Sequence, residues 1–560
     1  MTRFPLQKKI ALSLILLFTI VCINPIISGN LIINNNEGHN EILLKKNVCN
    51  SLITFGADIQ KLSASDGKTD ARFGCSVSID DDYAIIGAVE DNENGYRSGS
   101  AYIFKLEGTI WTEQTKLLPS DGLAYQNFGV SVYIDGEYAI IGATGDDSNG
   151  LDSGSAYIFK REGTIWTEQT KLLPSDGEED YIFGGCVSLY GDFAIIGSTG
   201  DKENGEYSGS AYIFKREGTI WTEQTKLLPS DGEQFESFGR SVAIDGDYTI
   251  IGAPGDNDNG YVAGSAYIFK RNGNLWSEQS KLLASDGEKY DYFGRSVSID
   301  GQYVIIGAWG DESRSGSAYI FKREGEIWTQ LEKMSPSDID SGDYFGFSVS
   351  INGDYAIVGA EGDNAKAYGA GSAYIFKRNG VTWSKHAKLL APDGEEKNWL
   401  GCSVSLNEDN VIIGALGADG NKPKSGSAYL FKNICQYQPP NIPLIKGPSK
   451  GKPGVEYTFY ISTNDPNNDD IYYYIDWGDE TDSNWLGPYE SDKEITVSHK
   501  WDEKGNYKIR ARAKDIFDCI GEWSEISISV PRSRTINNPF LKLLLENYPI
   551  LYQLLKEYYS

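Results

Sequence analysis

One pattern, written seven times, fills the middle of this chain. Phe-Gly recurs at Phe73, Phe128, Phe183, Phe238, Phe293 and Phe345, with Leu-Gly at Leu400, at intervals of 55, 55, 55, 55, 52 and 55 residues. Each copy runs through FGxSVSIDGDYAIIGA, an acidic loop rich in Gly and Asn, and SGSAYIFKREGxxWxxxxKLLxSDG. A fixed period of this length means units that bury their apolar surface against their neighbours. Residues 153–178 and 208–233 are identical, so the copies diverged recently or are held alike.

The periodicity inside one copy is that of strands. Residues 76–79 and 83–88 are apolar or β-branched runs separated by Asp80-Asp81-Asp82, which becomes Asp-Gly-Asp or Asp-Gly-Glu in later copies. That is a tight hairpin signal. Residues 101–104 and 111–118 supply a third and a fourth strand, divided by Glu107-Gly108-Thr109. YAIIGA is apolar on both faces, as a strand between stacked sheets must be. Four short antiparallel strands repeated seven times predict an all-β, seven-bladed β-propeller. Blade seven ends near Lys432 without a fourth strand, but residues 58–67, DIQKLSASDG, match the EQTKLLPSDG that ends other blades. The N-terminal strand is therefore expected to pair with residues 428–431 and close the ring.

The residues FGxSV, YAIIGAPGD and GSAYIF resemble the FG-GAP repeat, the unit of the seven-bladed head of integrin α chains and of many exported microbial proteins. Gly252-Ala253-Pro254-Gly255-Asp256 matches the GAP element most closely, and the resemblance covers residues 55–434. It implies extracellular binding of proteins or glycans, often with calcium held by a DxDxDG-type loop between the first two strands. That connection is here only Asp-Gly-Asp, too short to surround a cation that wants six to eight oxygens. A second acidic loop lies between strands two and three. Its Asp, Asn and Gly residues suit Ca²⁺ or simple turns; Asp256, Asp258 and Asn259 are the best candidate ligands.

In a four-stranded meander, the loop between strands two and three and the link to the next blade share one face. Both are acidic here, and the 52-residue copy loses its three residues there, between Ala308 and Ser317. The opposite face carries Lys-Arg pairs such as Lys160-Arg161 and Lys215-Arg216. Loops that vary on a constant scaffold are where binding concentrates; charge for solubility alone is the other reading. Trp111, Trp166, Trp221, Trp276, Trp328 and Trp383 recur in register and are expected to pack between outer strands. Tyr261, Trp309 and Trp399 break the pattern and are ligand-face candidates.

The chain has 560 residues and a formal charge of −28, which excludes nucleic acid as a partner through phosphate repulsion. A basic start followed by an apolar run at 10–23 predicts a cleaved secretory signal over 1–29, with a linker at 30–54; an uncleaved membrane anchor is the alternative, for which the run is short. No later segment reads as a membrane-spanning helix. A linker at 435–441 leads to a second domain at 442–531, where Trp477-Gly478-Asp479 and His499 with Gly505-Asn506-Tyr507 resemble a PKD-type immunoglobulin-like sandwich. Residues 532–560 form an amphipathic helical tail by apolar spacing. Export favours disulfides; Cys49–Cys435 would lock the ring, and Cys435–Cys519 is the rival pairing. With three histidines and no metal-spaced cluster, phosphate loop or nucleophile elbow, no catalytic residue or certain cofactor is expected. The expected role is an exported, non-catalytic binding or adhesion protein for an extracellular protein or glycan. A structural envelope component is the alternative, and a glycan hydrolase ranks behind both.

Overall fold

The computed structural model describes residues 59–531, apart from 433, 435–437, 468 and 518. The repeats form seven four-stranded antiparallel sheets, arranged as a seven-bladed propeller. In blade one the inner strand Phe73–Asp80 pairs with Tyr83–Ala88, then Ser100–Glu107, then the outer strand Ile110–Leu117. Tyr83–Ala88 is buried at every position, because neighbouring blades cover both faces of the sheet. Seven apolar clusters each span one interface between adjacent blades.

Phe-Gly and Gly-Ser lock into one another across each interface. Seven isolated parallel bridges pair Gly99 with Phe128, Gly154 with Phe183 and so on round the ring, ending with Phe73 and Gly426. The glycine of Phe-Gly lies at positive φ, +91° at Gly74, where a Cβ would stand 2.3 Å from the Ser427 carbonyl oxygen. Only glycine meets both demands. The in-register tryptophans do pack between blades: Trp166 lies edge-on to Tyr83 at 6.1 Å and donates to Gln114 Oε1 at 3.2 Å.

Closure follows the same rules. Ile59–Leu62 pairs antiparallel with blade seven, Ile59 opposite Phe431 and Leu62 opposite Ala428, completing its sheet as the fourth strand. Between the inner strands, Val77 N–H donates to Ser403 Oγ at 3.0 Å and Ile79 N–H to Ser405 Oγ at 3.2 Å. The first Asp of the Asp-Gly-Asp turn has a structural task. Asp80 accepts from Gly136 N–H at 2.7 Å and Asp135 from Gly191 N–H at 2.8 Å, so each carboxylate caps the next blade's hairpin. These turns rim an axial channel of about 380 Å³ lined by all seven inner strands.

Two further sheets build a sandwich. Leu444–Lys446, Glu456–Ser462 and Ile495–Lys500 form one; Leu486–Tyr489, Ile471–Asp476, Gly505–Asp515 and Ser524–Val530 form the other. Phe459, Tyr473, Trp477, Trp501 and Ile509 fill its core. His499 stacks on Trp477 at 4.6 Å and bonds Asp479 at 2.8 Å.

The sandwich docks on blade six. Where the outer strands of blades one to three read Glu-Gln-Thr, this one reads Lys385-His386-Ala387. Ala387 is fully buried in a cluster with Leu389, Phe517 and Cys519. Lys388 N–H donates to the Phe517 carbonyl at 2.7 Å, and Cys519 Sγ to the His386 carbonyl at 3.0 Å. The smaller alanine makes an apolar seat for the sandwich loop.

Cys75 and Cys186 are half-buried thiols within the blades and Cys402 a buried one. The expected leader, Cys49, Cys435 and the helical tail lie outside the described residues.

Candidate functional site

The loops between strands two and three rise from a buried polar base. In six blades the Asp of the Gly-Asp element or its equivalent, from Asp91 to Asp363, is buried. A lysine of its own outer strand answers each: Lys116 lies 2.7 Å from Asp91 and Lys171 2.6 Å from Asp146. The Ser-Asp-Gly aspartate of the preceding blade closes the group. Asp121 accepts from the Tyr157 hydroxyl at 2.7 Å and pairs with Lys171 at 2.7 Å. These ties cross the blade interface, and the lysine holds Asp146 well below the ordinary carboxylate range despite burial. Blade seven departs: Ala418 replaces the buried acid, and Lys61 pairs with Asp393 at 2.6 Å.

The candidate calcium ligands belong to this base. Asp256 accepts from Ser265 Oγ at 2.6 Å and pairs with Lys281 at 2.7 Å. Asp258 bonds the same ammonium at 2.6 Å, and Asn259 Nδ2 donates to the Ala284 carbonyl at 2.5 Å. A divalent ion there would have to displace Lys281.

Above the base, the loop face carries exposed aromatic rings. Tyr261 is 63% exposed and meets Tyr290 of the neighbouring link edge-on at 5.5 Å. The equivalent position holds Tyr96, against Tyr125 at 5.4 Å, and Tyr368, 70% exposed. Tyr207 and Phe235 stack at 6.3 Å, and Trp399 is 38% exposed. Among the described propeller residues every exposed aromatic except Tyr190 stands in these loops and links. Trp309 differs: it stacks on Tyr292 at 4.8 Å, touches Tyr344 edge-on at 5.3 Å, and is half-buried, its Nε1 without a hydrogen-bond partner. Tyr96, Tyr125, Tyr290 and Tyr368 were not among the sequence candidates. The signal was available: they occupy the repeat positions of Tyr261 and its neighbouring link.

Towards the axis the residue after Phe-Gly varies more than the scaffold. It is Cys75, Val130, Gly185, Arg240, Arg295, Phe347 and Cys402 in turn. The Arg295 guanidinium lies 4.8 Å from the Phe347 ring centre. Burial, then the Arg240 charge, bring Arg295 down to about 9, while burial pushes Glu361 up to about 7. This corner of blades four to six breaks the ring's sevenfold equivalence.

The FG-GAP repeat model matches seven segments, residues 57–104, 111–159, 166–214, 221–269, 276–321, 328–376 and 383–431. The chain belongs to the FG-GAP repeat family. Each matched unit of this FG-GAP protein spans one outer strand and the three strands of the next blade, so the family's unit straddles the interface rather than one sheet. Human integrin alpha-11 is 26% identical over 277 residues, 44% of this chain and 22% of that protein. Human integrin alpha-D is 24% identical over 296 residues, 49% of this chain and 23% of that protein. The chain thus spans less than a quarter of the length of these relatives. A solved PKD domain of an M14-like peptidase from a Thermoplasmatales archaeon is 45% identical, covering 17% of this chain and 99% of that one, with a TM-score of 0.17.

Proposed function

We propose that this FG-GAP protein is exported and binds an extracellular protein or a glycan, without catalysis, through the loop face of its propeller. One observation carries the reading: exposed aromatic rings gather on the face where the repeats diverge, over a base held rigid by buried ion pairs. An exposed ring costs hydration unless something covers it, and aromatic faces suit both sugar rings and peptide side chains. The integrin alpha similarity and the leader expected at 1–29 favour the same role, with the PKD-like sandwich as a spacer. The net charge of −28 favours basic protein patches or cation-bridged glycans. The test is a protein and glycan array probed with the mature chain at low and high salt, with calcium and with chelator. A ligand whose binding weakens with salt supports the proposal. Absence of any ligand supports a structural envelope role, and turnover of a polysaccharide defeats both.

A further inference from the structure

The propeller sets a standard for this chain: its buried Gly-Asp carboxylates meet a lysine ammonium within 2.7 Å. The sandwich breaks it. Asp465, Asp469 and Asp515 are 4%, 3% and 1% exposed, and an oxygen of each lies within 4.8 Å of the other two. Neither Asp469 nor Asp515 forms an ion pair among the described residues, and the buried oxygens Asp469 Oδ1 and Asp515 Oδ2 have no hydrogen-bond partner. Carboxylates buried this close repel one another and lack the water that would solvate them.

The rest of the cluster is organised. Asp465 Oδ1 accepts from Asn467 N–H at 2.7 Å and Asp469 N–H at 3.2 Å, which wraps the loop around the carboxylate. Asp515 Oδ1 accepts from Phe517 N–H at 2.8 Å and Cys519 N–H at 2.9 Å, leaving Oδ2 for the cluster. Sheet pairing sets Ile471 opposite Asp515, bringing the two loops together.

We propose that Asp465, Asp469 and Asp515 bind one Ca²⁺ ion, and that this ion locks the sandwich onto the propeller. An oxygen-only donor set selects a hard cation, and calcium accepts an irregular protein cage more readily than magnesium. The lock follows from what the two loops hold. The first grips the connection from the propeller: Asn441 N–H donates to the Asn464 carbonyl at 2.9 Å, Thr463 Oγ1 to the Asn441 carbonyl at 2.6 Å, and Gln438 N–H to Asn467 Oδ1 at 2.9 Å. The second carries Phe517 and Cys519 into the seat on blade six. One ion would staple both attachments.

The experiment is calcium titration calorimetry on the metal-stripped mature chain, beside limited proteolysis of the 438–443 connection. The expected result is one calcium site per chain, lost in Asp469→Asn and in Asp515→Asn and kept in Asp258→Asn. Calcium should slow cleavage of the connection at least tenfold in the wild type and leave both sandwich variants unchanged. If Asp515→Asn fails to fold, Asp469→Asn decides alone, with the chelated wild type as its reference. Calcium binding unchanged in Asp469→Asn, binding lost in Asp258→Asn, or no binding by the wild type at millimolar calcium would overturn the site. Binding without protection of the connection would overturn the lock.

Discussion

Position 236 shows how little separates a tie from a liability in this ring. Gln126, two residues before Phe128, donates its amide to Asp146 at 2.7 Å and to the Tyr157 hydroxyl at 2.8 Å. Blade four has Glu236 there, 3% exposed, with Oε2 lacking a hydrogen-bond partner. Burial, reinforced by the Asp256 charge, pushes Glu236 up to about 7 from an ordinary 4.5. A raised folded-state value means its stability contribution is full below pH 4.5 and lost as pH rises through about 7. Glu236→Gln should therefore stabilise the propeller by about 1–3 kcal/mol at pH 8 and change nothing at pH 4. Urea unfolding at both pH values checks this; an equal effect at both would contradict the assignment. Glycines offer a paired test. A Cβ at Gly99 would stand 2.0 Å from the Phe128 carbonyl oxygen, whereas at Gly108 it meets nothing within 4 Å. Gly108→Ala should cost about 1 kcal/mol, the left-handed strain alone, and Gly99→Ala should cost about 3 kcal/mol or more because the bridge to Phe128 must break.

Among the elements, Ile59–Leu62 is the decisive one. It is the fourth strand of blade seven, and its loss would expose the unpaired edge of Ser427–Phe431 and the apolar surface of Leu430 and Phe431. A chain starting at Ser65 should melt at markedly lower temperature and self-associate. A truncated protein that stays monomeric with an unchanged melt would refute strand-dependent closure. The strands and this closure were legible because sevenfold repetition turns weak signals into a register. The tyrosines at Tyr96 and Tyr368 were equally written there, at the position of Tyr261. What could not be read was the meeting of distant segments. Asp469 approaches Asp515 only through sheet pairing, and Ala387 becomes a seat only once Phe517 reaches it. The calcium expectation at Asp256 and Asp258 looked at a loop alone, and the lysine that bonds both acids comes from the outer strand.

At the scale of the whole molecule, a ring of interlocked blades carries a diversified loop face and a docked sandwich. The expected Cys49–Cys435 bridge would tie the two ends of the propeller covalently. Peptide mapping of the non-reduced, exported protein should find these two cysteines joined; Cys435 joined to Cys519, or both thiols free, would remove that constraint.

The central claim is that binding resides on the loop face, and a comparison of two surface variants on the same array tests it most directly. Tyr96→Ala, Tyr261→Ala and Tyr368→Ala together strip exposed rings from that face. Ile110→Ser, Ile165→Ser and Ile220→Ser strip equally exposed side chains from the opposite hairpins. The account predicts that the tyrosine triple variant loses array ligands at least tenfold while the isoleucine triple variant keeps them, both melting like the wild type. Ligands retained by the tyrosine variant and lost by the isoleucine variant would contradict it.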